Sequence, residues 1–380
     1  MSVIIKKETS PHLRRKDSLF RMLLDVCIAL FPVTLMAIIS YTWRAVVILA
    51  ISMITMVGSE IVFVLIKNRV PYDGKKHSLK EHLKKGFSAL NINNIMAPIL
   101  SAEIFALIMP AQSNPEPVIY VATFVGALVG MVIGKLVFGG TGQNIFNPAA
   151  VGMVFAKICF GSHYVYPSTH YVTAISTSGT PLTYAMGTGN SLIEHFSMVN
   201  DYSTFDMFFG RIPGVMGEGF KIAILIGMVY LIIRKTVDWR VLASFFGTFL
   251  ALMGIAGIFV ATKLTDVSWL HFMAFQLFTG GVMFGGVYML TDPVTMPINS
   301  PGRLMYGMIA ASLTVFIRLF AAYPEGMVFA ILLSNMLAPV LDYHAWSGQT
   351  YTWKKILIMV SIFVVSAGIV ALVLGLGGAA

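Results

Sequence analysis

Charged side chains are scarce in this sequence: Lys, Arg, Asp and Glu make up 11% of 380 residues, while 57% are hydrophobic. That is about half the charge of an ordinary soluble domain, which excludes water as the main solvent of the folded chain. Cysteine is nearly absent. Cys27 and Cys159 stand far apart inside apolar stretches, so they supply neither a disulfide framework nor a metal cluster and read as small buried hydrophobes. Alternating strands are missing too, which removes a closed barrel as the way across a bilayer. The first twenty residues are polar and basic and lack the apolar core of a cleavable signal. Acids number 17 against 26 bases, giving a net charge of +9. The bases sit in short connectors, where they set membrane orientation, and no nucleic-acid partner is expected.

What remains is a series of apolar stretches long enough to cross a roughly 30 Å hydrocarbon layer as helices. Spans are predicted near 22–40, 44–66, 90–110, 117–138, 148–161, 220–234, 241–262, 269–290, 304–322, 326–342 and 355–377. Lys6, Lys7, Arg14, Arg15 and Lys16 place the N-terminus in the cytoplasm, and the lysine-rich 67–85 connector returns there. The 162–217 segment, with Arg211 as its only Lys or Arg, then falls on the outer face. The pentapeptide Gly-Met-Val-Phe-Ala occurs at 152–156 and again at 326–330. By this topology the two copies open the fifth and tenth spans running in opposite directions, as inverted repeats require. The expected fold is therefore an all-α polytopic membrane protein of ten to eleven helices in two inverted five-helix halves. Its parts are a cytoplasmic segment 1–21, a first half 22–161, an extracytoplasmic loop 162–217, a second half 218–343 and an extra helix within 344–380.

Two apolar regions are broken by residues that a helix accommodates poorly. One is Gly139-Gly140-Thr141-Gly142-Gln143-Asn144 with Asn147-Pro148; the other runs from Thr279-Gly280-Gly281 to Thr291-Asp292-Pro293. Backbone groups freed there need partners that lipid does not offer. Thr141, Asn144, Asn147 and Asp292 are accordingly candidate ligand-binding residues, with close helix packing through small residues as the plain structural alternative. Asp25, Glu60, Glu103, Lys135, Lys157 and Arg318 are ionisable groups at or near membrane depth. No catalytic triad and no metal-ligand spacing is found in 162–217, and His163, His170 and His195 read as surface residues.

Five stretches, in order, carry a family resemblance. They are Ser10-Pro11-His12 leading to Leu24-Asp25-Val26; Gly139 through Ala149; Gly210-Arg211-Ile212-Pro213-Gly214 with Gly217-Glu218; Thr291-Asp292-Pro293-Val294-Thr295; and Tyr323-Pro324-Glu325-Gly326 through Asn335-Met336-Leu337-Ala338-Pro339. From about residue 10 to 343 the chain resembles the family that holds the D subunit of the Rnf ion-translocating electron transport complex and the B subunit of the sodium-translocating NADH:quinone reductase. The Ser-Pro-His start and the Met296 to Arg303 stretch resemble the Rnf branch, whereas Phe138-Gly139-Gly140-Thr141-Gly142 leans toward the other.

The resemblance implies an FMN joined through its phosphate to a threonine of the outer loop by a separate flavin transferase. In Thr177-Ser178-Gly179-Thr180-Pro181-Leu182 it points to Thr180, flanked by Gly179 and Pro181, with Thr177 and Ser178 as alternatives because the family's alanine is replaced. It also implies a non-covalent riboflavin, further membrane and peripheral subunits as partners, a bacterial inner-membrane location, and electron transfer between ferredoxin and NAD⁺ coupled to Na⁺ or H⁺ movement. No dinucleotide fingerprint or cysteine cluster is present, so nucleotide and iron–sulfur sites are expected on other subunits. A reading of another class, a transporter or channel for a small polar solute, fits inverted repeats and broken spans equally well.

Overall fold

The computed structural model describes residues 19–68, 79–111, 117–164, 166–167, 176–177, 203–264, 267–321, 326–343 and 348–376. Apolar composition with few charged residues makes six long helices: α1 (Leu19–Tyr41), α2 (Trp43–Lys67), α5 (Pro117–Met131, prolonged by a π-helical turn, Val132–Leu136), α9 (Trp239–Lys263), α12 (Ser300–Phe320) and α14 (Trp353–Leu376). Each is long and apolar enough to cross a membrane. Two further spans are bent pairs. α3 (Leu79–Ser88) meets α4 (Asn93–Leu107) at 76°, and α10 (Trp269–Phe278) meets α11 (Val282–Phe284) with its π-helical continuation Gly285–Met289 at 63°.

All eleven predicted apolar segments hold a helix, and the all-α polytopic class is what the structure shows. Among the described residues, six helices, or eight if each bent pair is one span, are long and apolar enough to cross by length and composition. The difference lies in α6 (Pro148–Phe160), α8 (Lys221–Arg234) and α13 (Met327–Leu341), of 13, 14 and 15 residues. At 1.5 Å per residue these reach only about 20–22 Å, short of the roughly 30 Å hydrocarbon core. Length by itself does not stop such a helix from completing a crossing, because the irregular backbone that precedes α6, at 139–147, is partly buried in protein.

Helix association in lipid rests on close packing rather than on the hydrophobic effect. Gly126, Gly130 and Gly134 recur at four-residue spacing on α5 and its continuation, facing α6. A methyl group added at Gly130 would stand 2.5 Å from the Pro148 carbonyl oxygen and 2.9 Å from Gly152 Cα. This contact brings the start of α6 against the π-helical end of α5. α1 packs against both α4 and α8, so it joins the N-terminal and C-terminal halves. A short helix, α7 (Thr204–Phe209), is capped by Ser203 and ends at Gly210 in the left-handed region.

Candidate functional site

The two predicted breaks meet in space. After the π-helical turn that carries Lys135, the chain reverses through Gly139, Gly140 and Gly142, at φ of 117°, 99° and 86°, values that only glycine adopts without strain. It enters α6 through Asn147, whose Oδ1 accepts the Ala149 and Ala150 backbone N–H groups at 3.0 and 3.4 Å, with Pro148 in the first turn. The second break follows the same plan. A π-helical turn, Gly285–Met289, precedes Thr291-Asp292-Pro293, and α12 starts behind Asn299, whose Oδ1 accepts the Gly302 N–H at 2.6 Å, with Pro301 in the first turn. Asn147 Nδ2 donates to the Met289 carbonyl at 3.3 Å and ties one break to the other.

Between them lies a cleft that encloses about 80 Å³. Thr141, Asn144, Asn147 and Asp292, the four ligand-binding candidates at the breaks, all line it, as does Lys135. Its apolar walls come from Leu23 and Val26 of α1, Leu100 and Ile104 of α4, and Val287. Asp292 Oδ1 accepts the Val294 backbone N–H at 3.2 Å and Oδ2 accepts the Thr295 hydroxyl at 3.4 Å, an arrangement that fixes the turn. Behind Thr141 stands an ion pair. Lys135 Nζ is 3.2 Å from Glu60 Oε2, and the two side chains are 3% and 1% exposed. Thr141 Oγ1 and Asn94 Nδ2 each donate to Glu60 Oε1 at 3.4 Å. A carboxylate and an ammonium at such depth persist because each neutralises the other.

The other ionisable candidates separate by what they touch. Asp25 joins α1 to the far end of α8: it accepts from Tyr230 Oη at 3.1 Å, from Arg234 Nε at 3.2 Å and from Thr236 Oγ1 at 3.2 Å. Thr34 of α1 donates to Glu103 Oε1 of α4 at 2.7 Å, and Tyr288 Oη donates to the Ala29 carbonyl at 3.0 Å. Arg318 has a structural task. It is buried, and it donates to the Gln276 and Thr279 carbonyls at 2.6 and 3.0 Å, so it satisfies the backbone freed where α10 ends. The pairing of Glu60 with Lys135, 75 residues apart in sequence, is beyond helical periodicity to detect. Tyr288 and the α1 wall are equally silent in the sequence, because single apolar or aromatic residues in so apolar a chain carry no signal.

Thr180, Gly179 and Pro181 lie outside the described residues, as do the alternative Ser178 and most of 162–217. Nearest to them, Tyr166–Pro167 and Ser176–Thr177 pair antiparallel, with Tyr166 opposite Thr177, shortly after the end of α6. Among the described residues no three His, Cys, Asp or Glu side chains gather as a metal site.

Fold and site together define a multi-pass membrane protein with an apolar-walled cleft, polar along one edge, where two broken segments meet. The chain belongs to the NQR2, RnfD, RnfE family, whose model matches residues 6–349. It is 28% identical over 342 residues to the D subunit of the proton-translocating ferredoxin:NAD(+) oxidoreductase complex of Clostridium ljungdahlii, covering 88% of this chain and 92% of that one. It is 35% identical over 250 residues to the B subunit of the Na(+)-translocating NADH-quinone reductase of Chromohalobacter salexigens, covering 64% and 57%. For the same subunit of Klebsiella pneumoniae the figures are 34% over 244 residues, with 63% and 57% covered. The chain thus spans little more than half the length of the quinone-reductase subunits it matches.

Proposed function

We propose that this chain is the flavin-carrying membrane subunit of a redox-driven, ion-translocating ferredoxin:NAD⁺ oxidoreductase of the Rnf type. The observation that carries this reading is the near end-to-end match to the D subunit of a ferredoxin:NAD(+) oxidoreductase complex, over 92% of its length. The B subunit of a quinone reductase is the second reading, favoured by the higher identity of 35% but over 57% of that protein. Other membrane and peripheral subunits are the partners, in a bacterial inner membrane with the N-terminus cytoplasmic. That orientation is supported by the basic connectors and by the scarcity of bases in 162–217. Inverted five-helix halves are supported by the bent third span in each, by the short helices α6 and α13, and by the repeated pentapeptide near the start of both.

In this reading FMN is esterified to Thr180 in the outer loop, between Gly179 and Pro181, by a flavin transferase. A hydroxyl between a glycine and a proline in an outer segment suits enzymatic attachment. A second, non-covalent flavin, riboflavin, belongs to the same reading, and the cleft between the breaks offers a suitable lining but not the room for the ring. Amides and hydroxyls of Asn144, Asn147, Thr141 and Thr291 form one edge, and Leu23, Val26, Leu100 and Ile104 form apolar walls for a flat ring. At 80 Å³ the cleft is below the roughly 300 Å³ that such ligands need, so the ring does not fit it as it stands. Bound flavin supplies the redox chemistry.

The test is a denaturing gel of the purified chain under ultraviolet light, from cells that express the transferase. A fluorescent band that disappears in Thr180→Ala is expected. A dark band from wild type would refute the covalent flavin, and a band retained in Thr180→Ala would move the acceptor to Thr177 or Ser178. A polar-solute transporter, which the buried Glu60–Lys135 pair between broken spans also suits, predicts the dark band.

A further inference from the structure

α2 and α9 are internal counterparts. Each has 25 residues, each opens with Trp-Arg (Trp43-Arg44 and Trp239-Arg240), and each closes with a phenylalanine four residues before a terminal lysine (Phe63 and Lys67, Phe259 and Lys263). The opening arginine lies over its neighbouring tryptophan in both, at 5.9 and 5.4 Å. α2 packs against α5 just as α9 packs against α12.

The two helix pairs differ in what lies on their outer side. α14, an apolar helix of 24 residues, is seated on α9 and α12. Ser366 bonds Ser312 of α12 through their hydroxyls at 3.1 Å. Lys263 Nζ donates to the Leu374 and Gly375 carbonyls at 3.1 and 3.4 Å, capping the last turn of α14. On the α2/α5 side the corresponding place is an open apolar groove of about 740 Å³, walled by Ile54, Val62, Phe63 and Ile66 of α2 and by Leu128 and Val137. Its rim is bare: Ile54 is 75% exposed and Val137 70%.

We propose that this groove receives a membrane-spanning apolar helix from another chain of the complex, seated as α14 is seated on the opposite half. The groove's own chemistry selects such an occupant. The hydroxyls of Thr55 and Ser59 are spent on backbone carbonyls of their own helix, at 2.7 Å each, leaving an apolar floor. Gly58 sits mid-helix in that floor, and a Cβ there would have nothing within 4 Å. This chain's packing therefore gives no reason for a residue that weakens a helix by about 1 kcal/mol relative to alanine, whereas close approach of a second helix backbone does. The chain's own α14 is held by Ser312 and Lys263, so the occupant comes from a different subunit. The proposal rests on the reading that the protein works within a multi-subunit membrane complex.

Two experiments decide it. A photoreactive benzoylphenylalanine placed at Ile54 is irradiated in native membranes, and the adducts from the purified complex are sequenced. An adduct to an apolar helix of another subunit is expected; adducts to lipid alone, or to a second copy of this chain, overturn the proposal. Gly58→Leu adds a Cβ that meets nothing within 4 Å in the isolated chain and places a bulky side chain in the groove floor. It should leave membrane insertion and thermal midpoint unchanged while the other subunits are lost on purification; retention of the intact complex would overturn the proposal. An adduct to another subunit in a complex that carries no flavin would sink the electron-carrier reading and leave the groove assignment standing.

Discussion

Removing Lys135 while leaving Glu60 is the perturbation whose magnitude follows most directly from the structure. The charges are 3.2 Å apart with side chains 3% and 1% exposed, a separation worth about 5 kcal/mol at an effective dielectric near 20. Lys135→Met leaves a carboxylate held only by Thr141 and Asn94, and breaking one side of such a buried pair costs about 3–5 kcal/mol. Replacing both, as Glu60→Gln with Lys135→Met, removes the stranded charge as well, so the double variant should recover most of that loss. The assay is reversible unfolding in mixed micelles followed by tryptophan fluorescence, run as a full double-mutant cycle. Additive single and double variants, with a coupling under about 1 kcal/mol, would refute the claim that this pair anchors Thr141 at the edge of the cleft.

Asn147→Ala should cost about 2–3 kcal/mol, since it removes the cap on the Ala149 and Ala150 N–H groups and the bond to the Met289 carbonyl; Asn147→Ser, which keeps a capping oxygen and buries no charge, should cost less in the same unfolding assay. Arg318→Met strands the Gln276 and Thr279 carbonyls in an apolar interior and should destabilise the bend at α10 by about 2–4 kcal/mol, seen as faster amide exchange confined to 276–285. Asp238, in the connector before α9, gives a pH dependence. Burial pushes its carboxyl up, but the Arg240 backbone N–H and the Arg303 and Arg240 side chains outweigh this and hold it below the usual carboxylate range. Its stabilisation is therefore complete above the unfolded value of about 4 and is lost as pH falls through the lower folded value. Thermal midpoints of wild type and Asp238→Asn should converge on acidification through that range, and parallel curves would contradict the assignment.

Much of this is legible in the sequence because a bilayer imposes a simple code. Every apolar segment predicted from hydropathy forms a helix, and the glycine, asparagine and proline runs at 139–148 and 279–293 mark where helices break. Thr141, Asn144, Asn147 and Asp292 are each marked by their own break, and the fold brings them into one cleft. Hydropathy does not register that α6, α8 and α13 stop after 13 to 15 residues, each helix shorter than a full crossing. The Glu60–Lys135 pair is hidden for a different reason: partners on α2 and at the end of α5 share no periodicity. The shared Trp-Arg and Phe-x-x-x-Lys pattern of α2 and α9 is plain in the sequence, but its meaning depends on one groove being filled and the other open.

The most direct test of the central claim is mass spectrometry of the proteolytic peptides from 162–217, isolated from the assembled complex. The account predicts one peptide heavier by FMN less a water, with fragmentation placing the phosphoester on Thr180. Unmodified peptides throughout that loop, from cells in which the transferase is active, would contradict it.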